Sequence, residues 1–268
     1  MTDGVGNERR WKGERPRVVA EIEARAASTR LPQKIFADID GQTMLGRVLD
    51  SARRAQRVND VIVATTTNPL DDETEAWCEA EGVACFRGSE QDVLGRVLGA
   101  VQQMQADVVV EMTGDNVLSC PEVIDAQVEA FLAGGYDYLG DNIEPTYPVG
   151  CGAKIFWASM LAELDEWCDD PFVREHVSLY FYEHPERYRI GTLSAPPALA
   201  WPDLRVTVDT RADLEYARAV FRALRARGEA INYAVLIEVV REGGLDALNK
   251  EIRQKPARYD QSVEAIRS

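Results

Sequence analysis

Val18-Val19-Ala20-Glu21-Ile22, followed almost at once by Arg25-Ala26-Ala27-Ser28-Thr29-Arg30-Leu31-Pro32-Gln33-Lys34, decides how the rest of the chain is read. The apolar run predicts a first β-strand, and the ten residues after Ala24 place three cations in a loop at its end. A strand that runs into small residues and cations can aim backbone N–H groups and point charges at one polyphosphate. Arg25 and Arg30 are suited to fork onto phosphate oxygens, and Lys34 supplies a mobile single charge. Ala26, Ala27 and Ser28 leave room for close approach. A short basic cluster by itself is more often a solvated loop, so its meaning depends on what surrounds it.

The surroundings alternate between strand and helix. Met44, Leu45, Val48, Leu49 and Ala52 recur at helical spacing, giving one apolar stripe to face a sheet. A second strand is predicted over 58–65, a helix over 71–81 and a short strand over 83–86. Val93, Leu94, Val97, Leu98, Val101 and Met104 mark another amphipathic helix, and 107–112 reads as a buried strand. Pro121 stands where a helix N1 proline belongs, opening a helix that ends near Gly134-Gly135. Four βα units predict an α/β fold, a mainly parallel central sheet with helices on both faces and ligands at the C-terminal strand ends. The basic loop lies at such an end. Over 136–204 the alternation gives way to turn-rich, aromatic sequence, read as a smaller inserted lobe for acceptor binding or dimerisation. A strand over 205–209 and helices over 212–227 and 233–241 close a single domain of 17–255. The stretches 1–16 and 256–268 read as loose tails.

Composition narrows the function. A chain of 268 residues with 46% apolar content buries a full core. A formal net charge of −15 argues against nucleic acid, whose binding needs a basic face, and favours a basic pocket for a small anion. The five cysteines lack C-x-x-C pairing and read as reduced structural thiols of a cytoplasmic protein. Two histidines exclude a His-rich metal site. No apolar run approaches the roughly 20 residues of a membrane span, so no membrane partner is expected.

Two acidic residues each follow an apolar run: Asp115 in Val-Val-Val-Glu-Met-Thr-Gly-Asp and Asp209 in Arg-Val-Thr-Val-Asp. Either alone is more often a turn or cap residue. Together at one sheet edge, they could hold Mg²⁺ in its usual arrangement of one or two carboxylates plus substrate phosphates. Gly88-Ser89-Glu90-Gln91-Asp92 reads as a helix cap able to touch a base or ribose as well. Arg174-Glu175-His176 is a further polar cluster, by default a surface one.

Taken in order, Arg25, Ser28-Thr29-Arg30-Leu31-Pro32, Lys34, Ala64-Thr65-Thr66, Gly88-Ser89-Glu90, Asp92-Val93-Leu94, Thr113-Gly114-Asp115, Arg174-Glu175-His176 and Val208-Asp209-Thr210 resemble the SpsF-like cytidylyltransferases. That family is similar to the CMP-Kdo and CMP-sialate synthetases. The resemblance covers about 17–221 and implies a GT-A-like nucleotidyltransferase fold. It implies Arg25 and Lys34 as catalytic cations, with Ala24, Ser28, Arg30, Thr65, Ser89 and Asp92 binding the nucleotide. Asp115 and Asp209 would hold Mg²⁺, and Asn142, Gly150, Lys154, Arg174, Glu175 and His176 would bind the acceptor. The implied reaction is attack by an acceptor oxygen on the α-phosphorus of CTP with loss of pyrophosphate. A homodimer is also implied.

The chain departs from the family pattern in places. Gln33 replaces a glycine, Glu111 stands where a basic residue is common, and Asn116-Val117 replaces a Cys-Pro-like pair. The segment 147–154 lacks acidic residues near Val149 and Lys154, and the gain of Lys154 leads to the expectation of a different or more anionic acceptor, sugar-acid-like or otherwise anionic, bearing a carboxylate, phosphate or phosphonate. A glycosyltransferase on the same fold would call for Asp-x-Asp, where Thr113-Gly114-Asp115-Asn116 offers one carboxylate. An inactive nucleotide-binding homologue would lack the cations or metal acids that are present.

Overall fold

The computed structural model describes residues 15–28, 30–140 and 143–252. The first strand, β1 (Val18–Glu23), is followed by the basic loop, a two-stranded hairpin of β2 (Asp38–Ile39) and β3 (Gln42–Thr43), and α1 (Met44–Arg54). Then come β4 (Asp60–Thr66), α2 (Asp72–Glu81), β5 (Ala84–Gly88), α3 (Val93–Gln103), β6 (Val108–Thr113) and α4 (Pro121–Gly134). The remaining elements are β7 (Tyr138–Leu139), β8 (Lys154–Trp157), α5 (Ala158–Asp165), α6 (Pro171–Glu175), α7 (Leu179–Glu183), β9 (Ile190–Gly191), α8 (Arg211–Arg227) and α9 (Tyr233–Gly243).

The main sheet runs β5-β4-β1-β6-β8-β7-β9. β5, β4, β1 and β6 are mutually parallel, whereas β8 is antiparallel to both β6 and β7. The chain steps from β1 outward to β4 and β5, then returns to place β6 on the other side of β1. That reversal opens a crevice at the carboxyl ends of β1 and β6, where such sheets hold ligands. Strand alternation decides what each face carries. Val18, Ala20 and Ile22 join the main core, Val19 packs with Ile62, Ala64 and Ala100 on the other face, and Glu21 is buried.

Helix boundaries follow local chemistry. Thr43 caps α1 by accepting from Gly46 N, Pro121 opens α4, and Gly135 ends it at φ +65°. Residues 136–204 are built onto the same sheet through β7, β8 and β9, with α5, α6 and α7 beside them. Their aromatic residues form core: Phe181 packs on Phe156 and Tyr188, and Trp157 on Phe131. The predicted strand over 205–209 does not form. Arg205 makes one isolated bridge to Val149, and Val208 N donates to Asp115 O, so this apolar stretch is buried as an extended segment beside the cleft. All five cysteines are free thiols. No helix among the described residues is long and apolar enough to cross a membrane. The predicted tails at 1–16 and 256–268 fall almost wholly outside the described residues.

Candidate active site

A cleft of about 830 Å³ opens at the carboxyl ends of β1 and β6. The basic loop lines it with Ala24, Arg25, Ser28, Arg30 and Lys34, and Asp115 and Asp209 line it in contact with those cations. The loop is fixed from beneath by a residue that sequence reading did not single out. Asp71 is fully buried and accepts from Ala26 N at 2.7 Å and Thr74 Oγ1 at 3.1 Å, and also from Thr66 Oγ1. Gln33 N closes the loop onto Ala26 O. Gln33 sits at φ +51°, in the left-handed region, which explains why a glycine suits this position.

The two aspartates converge although 94 residues separate them in sequence. Lys34 Nζ donates to Asp115 Oδ2 at 2.9 Å, to Asp209 Oδ1 at 3.1 Å and to Val208 O at 3.1 Å. Arg30 Nη2 lies 2.8 Å from Asp209 Oδ1, and Arg205 Nη2 lies 2.7 Å from Oδ2. Burial raises the pKa of the Asp209 carboxyl, but Lys34, Arg205 and Arg30 outweigh it and leave the group below its ordinary value. Arg205 is itself held by the buried Asp213, with Nε to Oδ1 at 2.9 Å. Thr113 Oγ1 donates to Asp115 Oδ1 and orients that carboxylate. Two carboxylates that meet on one ammonium form a hard-oxygen pair suited to a divalent cation.

The floor of the cleft carries charge along the sheet. Glu23 and Arg96 line it, and behind them Glu21, Glu111 and Lys154 continue the row along neighbouring strands. Burial first, and the charge of Glu111 next, push the Glu23 carboxyl up to about 7. Burial, reinforced by Glu23 and Glu111, also holds Glu21 well above the carboxylate range, and neither of its oxygens has a hydrogen-bond partner among the described residues. The folded protein keeps protons here that the unfolded chain releases near 4.5. Stability from Glu23 is therefore fully present below that pH and is lost as pH rises through about 7, and Glu21 acts in the same direction. For Glu23 alone the loss is on the order of 3 kcal/mol. Thermal unfolding is expected to show a higher Tm near pH 5 than at pH 8, with part of the difference removed in Glu23→Gln. Equal wild-type and variant pH profiles would contradict this.

Other expected site residues are placed differently. Glu175 and His176 line the cleft, as do Glu90 and Gln91, while Thr65, Ser89, Asp92, Gly150, Lys154 and Arg174 are not part of its wall. Thr65 is fully buried within β4. Ser89 Oγ accepts from Gln91 N and Asp92 N in the turn before α3, and Asp92 accepts from Gly95 N as its cap. Arg174 forks onto Asp92 at 2.8 and 2.9 Å and also reaches Asp165 and Cys168 O, so its donors are occupied away from the cleft. Gly150, at φ +104°, lies where a Cβ would meet Thr207 Cγ2 at 2.7 Å; its role is close backbone approach. Lys154 forms an ion pair with Glu111, directly opposite it in the antiparallel register. The excess positive charge expected at the acceptor end is thus cancelled by the carboxylate noted separately as unusual. Asn142 lies outside the described residues.

Loop cations paired with two converging carboxylates suit a polyphosphate whose charge is balanced while its leaving group is held, and that is the business of a nucleotidyltransferase. The family model described as Cytidylyltransferase matches residues 19–238, and the chain belongs to that family. It is 33% identical over 211 residues to the spore coat polysaccharide biosynthesis protein SpsF of Bacillus subtilis, covering 75% of this chain and 85% of that one. A 3-deoxy-manno-octulosonate cytidylyltransferase of Koribacter versatilis is 41% identical over 115 residues, 42% of each chain. Among solved structures, a cytidylyltransferase from Leptospira borgpetersenii superposes with a TM-score of 0.81 at 30% identity, covering 90% of this chain and 100% of that one.

Proposed function

We propose that the protein transfers CMP from CTP to a hydroxyl of a sugar-acid acceptor and releases pyrophosphate. The observation that carries this reading is the convergence of Lys34, Asp115 and Asp209 at the mouth of β1 and β6. An acceptor hydroxyl oxygen forms a bond to the α-phosphorus as the bridging oxygen to the β-phosphorus departs with pyrophosphate, and the hydroxyl proton passes to solvent water. Lys34, Arg30 and Arg25 balance the charge on the phosphates, and the small residues Ala24, Ala27 and Ser28 let the phosphates approach the backbone. Asp115 and Asp209 would hold Mg²⁺, which supplies electrostatic stabilisation to the phosphoryl and leaving oxygens. Lys34 and Arg30, now paired with Asp115 and Asp209, would turn to the phosphates when CTP binds, which would free the two carboxylates to hold the cation.

The acceptor end lies toward Glu175 and His176. A sugar acid suits that pair, since the Glu175 carboxylate can accept from hydroxyls and the His176 ring can face a carboxylate. The likeness to the 3-deoxy-manno-octulosonate enzyme supports the same class. A place in polysaccharide biosynthesis, a cytoplasmic location and a homodimer complete the proposal, supported by the SpsF likeness and the family resemblance. Incubation with CTP, Mg²⁺ and a panel of sugar acids, read as pyrophosphate release, is expected to give turnover with at least one sugar acid and none after chelation. Turnover confined to neutral sugars would remove the acceptor assignment, and CTP binding without any turnover would remove the reaction.

A further inference from the structure

We propose that the Lys154–Glu111 ion pair is a positioning device: through Ser178 it pins the turn at Val177 and thereby sets Glu175 and His176 at the acceptor end of the cleft. This rests on the reading that Glu175 and His176 face the acceptor.

The turn needs a restraint. Val177 sits at φ +39° and is buried, an arrangement that is a true outlier for a β-branched residue. Such a conformation is strained and persists only where its surroundings over-determine it. Both sides of it are tied. On the N-terminal side, Arg174 forks onto Asp92 at the start of α3. On the C-terminal side, the fully buried Ser178 donates from Oγ to Glu111 Oε1 at 3.1 Å and stands 3.2 Å from Lys154 Nζ. Glu111 and Lys154 belong to β6 and β8 in the middle of the sheet, so this anchor is as rigid as the fold allows.

Stability alone does not account for the pair. A buried ion pair is often no better than apolar residues of the same volume, because desolvation offsets the attraction. Here the surroundings give the pair little help, since the neighbour directly beside Glu111 on β1 is Glu21, whose buried carboxyl is held well above its ordinary pKa. What the pair supplies is a fixed hydrogen-bonding point where the strained turn meets the sheet. Burial works against the Lys154 ammonium, yet Glu111 outweighs it and keeps the lysine charged. Lys154 is thereby a positioning residue, in place of the acceptor ligand that its sequence context implied.

The test uses the intact chain and readouts independent of the acceptor. In Ser178→Ala, amide hydrogen exchange over 175–178 is expected to quicken at least tenfold, while exchange in α3 stays within twofold. The sequence holds only two histidines, so the imidazole NMR signal of His176 is expected to move while that of His184 serves as an unmoved control. The CTP dissociation constant from calorimetry should stay within twofold. With whichever acceptor the pyrophosphate screen identifies, its KM should rise about tenfold. Lys154→Met should reproduce the loosening and Lys154→Arg should restore order; should Lys154→Met not fold, the serine variant carries the test alone. Unchanged exchange and an unmoved His176 signal in Ser178→Ala would overturn the proposal, as would a tenfold weakening of CTP binding, which would mark a general structural role. Failure of the wild-type protein to bind CTP would tell against the function above while leaving the exchange result readable.

Discussion

Lys34→Met is expected to lower kcat/KM for CTP by about three orders of magnitude. A charged donor aimed at developing phosphoryl charge in a water-poor site contributes roughly 3–4 kcal/mol, and each 1.4 kcal/mol is about tenfold in rate. Lys34 is such a donor: its side chain is only 15% exposed, and its Nζ already lies within 2.9 and 3.1 Å of the two aspartates. The fold should survive the change, because Asp209 keeps Arg30 and Arg205 as partners. Lys34→Arg preserves charge but replaces a compact ammonium with a planar fork, so a loss of about a hundredfold is expected. Arg25→Met is the contrasting case. Its side chain is 49% exposed and its nearest carboxylate, Glu90, is 3.9 Å away, which points to a loss of only about tenfold. Steady-state kinetics on the three variants checks the order. A Lys34→Met enzyme within tenfold of wild type would remove Lys34 from the reaction.

The strand-and-loop reading at Val18–Lys34 succeeded because its signals are local. An apolar run, small residues and cations within a few positions give the strand, and the loop cations after it line the cleft at its end. The α/β alternation was legible for the same reason, since helical and strand periods differ over single elements. Asp115 and Asp209 were legible only through the fold, as acids that follow runs bound for one sheet edge. What the sequence concealed were pairings between distant positions. Glu111 and Lys154 each looked odd alone, and only the antiparallel register of β8 against β6 shows them to be one pair. Arg174 and Asp92 likewise looked like ligands, but they bind each other across 82 residues. The segment 205–209 has strand composition and lacks a neighbour to pair with beyond one bridge. Asp71 and Arg205 gave no local sign of their supporting roles. The capping box of Thr210 and Asp213 and its burial likewise emerge only in the structure.

Asp213→Ala is expected to destabilise the fold by about 3–5 kcal/mol, a large share of the stability of an ordinary domain. Asp213 is fully buried, and its carboxylate gathers Arg205, Asn249 Nδ2 at 3.0 Å, Thr210 N at 2.9 Å and Asp209 N at 3.1 Å. Removing it takes a buried carboxylate partner from the Arg205 guanidinium and orphans several donors at once, which costs far more than one hydrogen bond. For a domain of this size the loss corresponds to a Tm lower by roughly 10 °C. The pH dependence should change as well. Burial raises the Asp213 pKa, but Arg205, Asn249 and Thr210 outweigh that and depress it below 3.8. A depressed carboxyl gives stability that is present above the unfolded value and is lost as pH falls through the folded one, so the wild-type acid limb should be steeper than the variant's. Activity should fall too, because Arg205 links Asp213 to Asp209 and so couples this buried cluster to the cleft. Asp213→Asn, which keeps shape and some acceptor capacity, should lie between the two in Tm. A variant Tm within about 2 °C of wild type would show that water or a rearranged Arg205 replaces the carboxylate, and that the cluster does not support Asp209.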